Sequence, residues 1–170
     1  VILNVLHNRG GGTLHHVQEL AQILEKKAIF LNLIPAPGGN LIIKIVDPNE
    51  AFELIFDINS EFNDLIRILK SLGVAHVHYH HLMDHDKKVF DIANILNVSY
   101  DFTAHDYFTF CRNITLTDSK NVYSHPDPLG RCACCEANAP SDFGTTINGW
   151  REINKKLLIG ARNIIAPSVF

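Results

Sequence analysis

The sequence predicts an α/β fold: a doubly wound, Rossmann-like parallel sheet with helices on both faces, interrupted by one long cysteine-containing loop. Two observations carry that prediction. Apolar, β-branched runs of strand length alternate with stretches whose apolar residues recur at helical spacing, and such alternation builds parallel sheets joined by right-handed crossovers. The first run also stops at a glycine triplet that leads directly into a helix, at the edge where open α/β sheets take their ligands.

The opening run, Val1 to His7, reads as a buried strand that enters a tight loop at Asn8-Arg9-Gly10-Gly11-Gly12. Thr13 is placed to cap the helix that follows, whose stripe is Leu14, Val17, Leu20, Ala21 and Leu24, ending at Lys26-Lys27. Ala28 to Ile34 is a second strand, and Leu41 to Val46 with Phe52 to Ile58 reads as a hairpin beyond the Pro35 to Gly39 turn. Phe62, Leu65, Ile66, Leu69 and Leu72 form one helical stripe stopped by Gly73. Val74 to His78 is then a strand, Lys87 to Leu96 a helix, and Val98 to Thr103 a strand.

From Ala104 to about Ile147 the periodicity vanishes and Cys, Asp, Pro, Gly, Ser and Thr dominate. A stretch of that length inside a domain is expected to be functional or held by its own local constraint. Trp150 to Ala161 and Asn163 to Ala166 close the chain as helix and strand, and Ser168 is placed to cap one further helix.

With 170 residues, one domain spanning 1–170 is expected, with 104–147 as a loop insertion. An apolar fraction of 46% with 19% charged residues is that of an ordinary globular chain. A net charge of -3 and a pI near 6.4 supply no broad basic surface, so nucleic acid is not an expected partner. No apolar run approaches the roughly 20 residues that a spanning helix needs. The start at Val1, without a signal-peptide pattern, leads us to expect a longer reading frame. All four cysteines lie between Cys111 and Cys135, which does not resemble a disulfide framework and suggests a reducing, cytoplasmic setting.

Three groups of residues can carry chemistry. The Gly10-Gly11-Gly12 loop can present backbone N–H groups and a helix N-terminus to an anion or a sugar hydroxyl; as a plain tight turn it needs no ligand, and it matches neither the dinucleotide glycine spacing nor the Walker lysine. His76, His78 and His80 alternate along a strand and share a face, with His81 and His85 following, which suits a polar ligand pocket or hydrogen-bonded core histidines better than a metal. Thr103-Ala104-His105-Asp106-Tyr107 starts where a parallel strand ends, which makes His105 the leading candidate for a reacting group, with Asp106 to orient it or to cap the next turn.

Gly11-Gly12 with His16-Val17-Gln18-Glu19-Leu20-Ala21, Val74 to His78, His105-Asp106-Tyr107-Phe108 with Cys111-Arg112, and Ile165-Ala166-Pro167-Ser168 together resemble the N-terminal domain of group 1 (family 4) GT-B glycosyltransferases. The resemblance runs nearly the whole chain. It implies that Gly11 and Gly12 lie near the donor diphosphate and sugar and that His105 contacts the transferred sugar; His80, His81, Asp106 and Tyr107, which follow the same strand ends, are the residues expected to line the substrate side. It further implies transfer from a nucleotide sugar to a glycan or lipid-linked acceptor with retention, no metal required for catalysis, and peripheral membrane association of the full-length enzyme. The family's nucleotide-sugar domain is C-terminal and has no counterpart in these residues, so this chain alone is expected to be inactive.

A different reading is a non-catalytic flavodoxin-like module that docks a partner through its cysteine loop; a sugar-nucleotide epimerase or dehydrogenase is disfavoured by the glycine spacing. Within the loop, Cys132-x-x-Cys135 has the gap of a zinc knuckle. Cys111 and His125 complete four ligands for a structural zinc, His125 standing in for a further cysteine that the resemblance implies near Tyr123 to His125, with Cys134 as a competing ligand.

Overall fold

In the computed structural model the described residues are 1–47, 52–118, 120–125, 127 and 145–166. Seven strands form one sheet: β1 (Ile2–Val5), β2 (Phe30–Ala36), β3 (Asn40–Ile45), β4 (Glu53–Asp57), β5 (His76–Tyr79), β6 (Ser99–Thr103) and β7 (Asn163–Ile165). Their spatial order is β4-β3-β2-β1-β5-β6-β7. Strands β2, β1, β5, β6 and β7 run parallel, whereas β3 and β4 are antiparallel to their neighbours.

The expectation of a parallel sheet therefore needs correction: the sheet is mixed. The reason is local, because Gly38 and Gly39 both adopt positive φ just after β2, and the chain turns back on itself with no helical crossover. Two added strands widen the sheet on one side. They leave the parallel core, and its carboxyl edge, intact.

Helices α1 (Gly11–Ile23), α2 (Phe62–Ser71), α3 (Ile92–Leu96) and α4 (Ile147–Gly160) join the strands. Alternation along the strands divides the core. Leu3, Val5, Leu33, Val77 and Tyr79 pack with Leu65 and Leu69 of α2, Ile92 of α3, and Trp150 and Leu157 of α4. Leu6 and Ile34 pack instead against Val17 of α1, on the opposite face. The larger cluster supplies most of the hydrophobic driving force, at about 25 cal/mol for each Å² of apolar area removed from water.

Helix boundaries shift where caps override periodicity. Thr13 does not cap α1: the cap is Gly10, the helix begins at Gly11, and Thr13 is buried within it. Both Gly10 and Gly11 have positive φ, so the backbone turns sharply out of β1 before the helical ladder starts. The helix expected over Lys87 to Leu96 is a 3₁₀ turn, Lys87–Asp91, capped by the Asp86 side chain, followed by the short α3. Thr146 accepts from the Gly149 N–H and starts α4 three residues earlier than its apolar stripe suggests.

The segment after β6 is anchored by apolar residues as well as by turns. Phe108, Cys111 and Leu116 are buried, Phe108 lies edge-on to Trp150 with ring centroids 4.8 Å apart, and Trp150 donates its indole N–H to the Phe108 carbonyl at 2.8 Å.

Candidate functional site at the carboxyl edge

The connections out of β1 and β5 set the site. From β1 the chain moves to β2 on one side, and after β4 it returns to place β5 on the other side of β1. The carboxyl ends of β1 and β5 thus flank a topological switch point, where the loops part and open α/β sheets form their binding crevice. The glycine loop leaves one side of that point and His80-His81 leave the other. Both backbone N–H groups of His80 and His81 donate to the Val5 carbonyl, at 2.9 and 3.1 Å, which ties the two loops together.

The sheet register lays out the histidines. Residues of β5 and β6 pair at an offset of 23, as in His76 with Ser99. The side chains reach diagonally further: His76 to Asp101 (3.2 Å), His78 to Thr103 (2.8 Å), His80 to His105 (3.3 Å) and His81 to Asp106 (3.0 Å). These four contacts climb the strands toward the edge. At the top His16, in the second turn of α1, sets its ring 5.5 Å from that of His80 and 5.4 Å from that of His105. His7, His81 and Phe108 continue the aromatic lining, with successive ring centroids 4.7 and 4.6 Å apart.

Burial keeps most of these rings neutral. Desolvation pushes His78 and His105 down to about 4, His105 being lowered further by His16, and takes His80 well below its ordinary value. Burial alone would raise Asp106, but the hydrogen bond and charge of His81 outweigh it and hold the carboxyl below the usual range. His81 is oriented on both sides: its Nδ1 accepts from the Met83 N–H at 3.1 Å while Nε2 faces Asp106. Nε2 of His80 is buried without a hydrogen-bond partner among the described residues. A neutral imidazole donates once and accepts once, so this edge is equipped to meet hydroxyl groups.

Gly11, Gly12, His80, His81, His105 and Asp106 stand at one edge. No atom lies within 4 Å of where a Cβ would project from Gly10, Gly11 or Gly12, so the space beside the loop is open. Tyr107 belongs to the same turn, but its side chain is 56% exposed and its carbonyl accepts from the Phe110 and Cys111 N–H groups. Cys111 is buried against Leu116, Phe110 and Ile147, and His125 is exposed. Cys132, Cys134 and Cys135 lie outside the described residues. Among the described residues, no three His, Cys, Asp or Glu side chains are grouped as a metal ion would require.

Sequence reasoning did not single out His7 and His16. The signal was present in their positions, one at the end of β1 and the other a helical turn beyond the glycine loop, both aimed by topology at the switch point. A cleft of about 590 Å³ adjoins this edge between Arg9, Asp84, Phe108 and Arg112. Arg9 and Asp84 form an exposed ion pair at 3.0 Å across its mouth, which bridges the loops after β1 and β5.

The chain matches no protein-family model, no curated protein and no solved structure. No helix among the described residues is long and apolar enough to cross a membrane.

Proposed function

We propose that this chain is the acceptor-side, Rossmann-like domain of a retaining GT-B glycosyltransferase, which in the intact enzyme transfers a sugar from a nucleotide sugar to a hydroxyl of a glycan or lipid-linked acceptor. The observation that carries the reading is the meeting of the open glycine loop, through His16 of the helix it begins, with His105 at the switch point. Backbone N–H groups at the start of α1 suit the negative charge of a donor diphosphate, and Arg9 in the same loop adds to it. Neutral His105 and His80 suit sugar hydroxyls, which need both donors and acceptors.

In this reading the chemistry is positioning. An acceptor hydroxyl is held against a departing diphosphate, and preorganised dipoles and His105 stabilise the oxocarbenium-like centre. His81 and Asp106 act on the loop after β6 and keep His105 in place. A structural zinc on Cys111, His125, Cys132 and Cys135 belongs to the same proposal, as does a cytoplasmic setting with a membrane-borne acceptor. The test is donor turnover by the full-length protein with a panel of nucleotide sugars: His105→Ala is expected to lose turnover while keeping its fold, and an unchanged rate would overturn the assignment.

The flavodoxin-like module has one observation in its favour. The parallel strands follow the order β2-β1-β5-β6-β7, which is the flavodoxin-like order once the hairpin is set aside. That order describes a scaffold shared by both readings, and donor binding by the full-length protein separates them.

A further inference from the structure

We propose that Ser99, His76 and Asp101 form a second reactive site, at the amino ends of β5 and β6, in which Ser99 is acylated by small activated esters and then passes the acyl group to water. The three side chains stand in line: Ser99 Oγ lies 3.0 Å from Nδ1 of His76, and Nε2 of the same ring lies 3.2 Å from Oδ2 of Asp101. That is the order of a serine nucleophile, its base and the carboxylate that orients the base. The site lies at the opposite edge of the sheet from His80 and His105, and it does not depend on glycosyl transfer.

Three neighbouring strands build this arrangement. His76 and Ser99, the first residues of β5 and β6, pair directly, and Asp101 follows two residues on, so its side chain leaves the same face. The imidazole spans that interval along β6. From β7, Asn163 stands opposite Asp101 and donates to its Oδ1 at 2.8 Å, which leaves Oδ2 to His76. A carboxylate can only accept, so Nε2 carries the proton of the neutral ring, and Nδ1 is the bare nitrogen that receives the Ser99 hydroxyl. Ser99 is exposed, and the side chains of His76 and Asp101 are each 21% exposed, so an ester can reach the hydroxyl.

The reaction balances within these groups, the ester and water. The Ser99 oxygen attacks the ester carbonyl carbon as its proton passes to Nδ1 of His76; the bond from that carbon to the leaving oxygen breaks, and the proton goes to the departing group. Water then attacks the acyl-serine and gives a proton to His76, and the acid leaves as that proton returns to Ser99. Asp101 holds the tautomer and faces the imidazolium that forms between the two transfers. A hydroxyl on an open strand face suits small acyl groups on good leaving groups, which need the least stabilisation of the transition state.

The experiment treats the purified protein with an alkyl fluorophosphonate, which forms a P–O bond to an activated serine as fluoride leaves, and maps the adduct by peptide mass spectrometry; hydrolysis of p-nitrophenyl acetate is followed in parallel. One adduct per chain, at Ser99, is expected, and Ser99→Ala is expected to lose both the adduct and most of the ester turnover. His76→Gln keeps a polar group between Ser99 and Asp101 but supplies no base, so it is expected to slow labelling about a hundredfold. Asp101→Asn leaves its oxygen on the Asn163 amide and turns an N–H toward His76, which forces the ring proton onto Nδ1; labelling is expected to slow to a similar extent, with the fold unchanged by circular dichroism. No adduct at Ser99, labelling spread equally over the other serines, or His76→Gln reacting as fast as wild type overturns the proposal. If the His76 and Asp101 variants do not fold, the wild-type adduct map and Ser99→Ala decide alone.

Discussion

His80 and His105 face each other across the carboxyl ends of β5 and β6, with Nδ1 of His80 3.3 Å from Nε2 of His105. One proton serves both nitrogens, so replacing either ring leaves the other with an unmet buried group. His105→Ala is expected to cost about 1 kcal/mol of stability through the orphaned His80. In the full-length protein it is expected to lower turnover by roughly a hundredfold or more, the scale of one lost preorganised hydrogen-bonding group. Parallel urea melts and initial rates check both, and a rate loss that merely tracks the loss of folded protein would leave His105 a structural residue.

The glycine loop separates conformation from ligand approach. Gly11 has φ near +73°, so Gly11→Ala is expected to destabilise by about 1 kcal/mol, from backbone strain alone, since no atom crowds the new methyl. Gly12 has no positive φ and equally open surroundings, so Gly12→Ala is expected to be neutral or stabilising by up to about 1 kcal/mol. If a donor approaches this backbone, the same Gly12→Ala change weakens donor affinity in the full-length protein. Calorimetric binding with unchanged affinity would remove Gly12 from the site.

Zinc in the cysteine loop is expected from Cys132-x-x-Cys135, with Cys111 and His125 as the other ligands. Elemental analysis of protein purified without chelator is expected to give one zinc per chain, lost in Cys111→Ser. The buried position of Cys111 beside Leu116 allows a competing outcome, in which Cys111→Ser costs about 1–3 kcal/mol by burying a hydroxyl and no metal is found. Full stability and stoichiometric zinc in Cys111→Ser would exclude that residue from both roles.

The parallel core was legible in the sequence because its strands are continuous apolar runs separated by helical stripes, and that pattern places His105 and the glycine loop at one edge without coordinates. The mixed character of the sheet was less so. A Pro-Gly-Gly turn reads equally well as a loop before a crossover, and only the pairing of Leu33 with Ile43 and of Ile34 with Ile42 fixes β3 as antiparallel. The start of α1 was misread because Thr13 is a good cap by type, while the strain-tolerant Gly10 and Gly11 let the helix begin earlier. His16 was not singled out because its ring becomes a neighbour of His80 and His105 only once the fold sets α1 beside them, and His85, grouped with the β5 histidines, folds back 79 residues to the Leu6 carbonyl.

Acid is expected to unfold this protein through its buried histidines. His78 and His85 are held at about 4 by burial, against 6.5 in an open chain, so between those values the unfolded chain binds more protons than the folded one. Stability is thus fully present above pH 6.5 and falls as the pH drops toward 4. His80 and His105 shift in the same direction and add to the effect. Asp106 does not offset it in that window, because its lowered carboxyl stabilises the fold until the pH falls below the ordinary carboxylate range. Between pH 7.5 and pH 5 each fully buried ring is expected to remove on the order of 2 kcal/mol. Urea midpoints measured at the two values test this directly, and His85→Gln is expected to flatten part of the slope. A midpoint that does not move between pH 7.5 and pH 5 would mean that these rings take up protons as readily in the folded protein as in the open chain, and the neutral, hydroxyl-binding character assigned to this edge would fall with it.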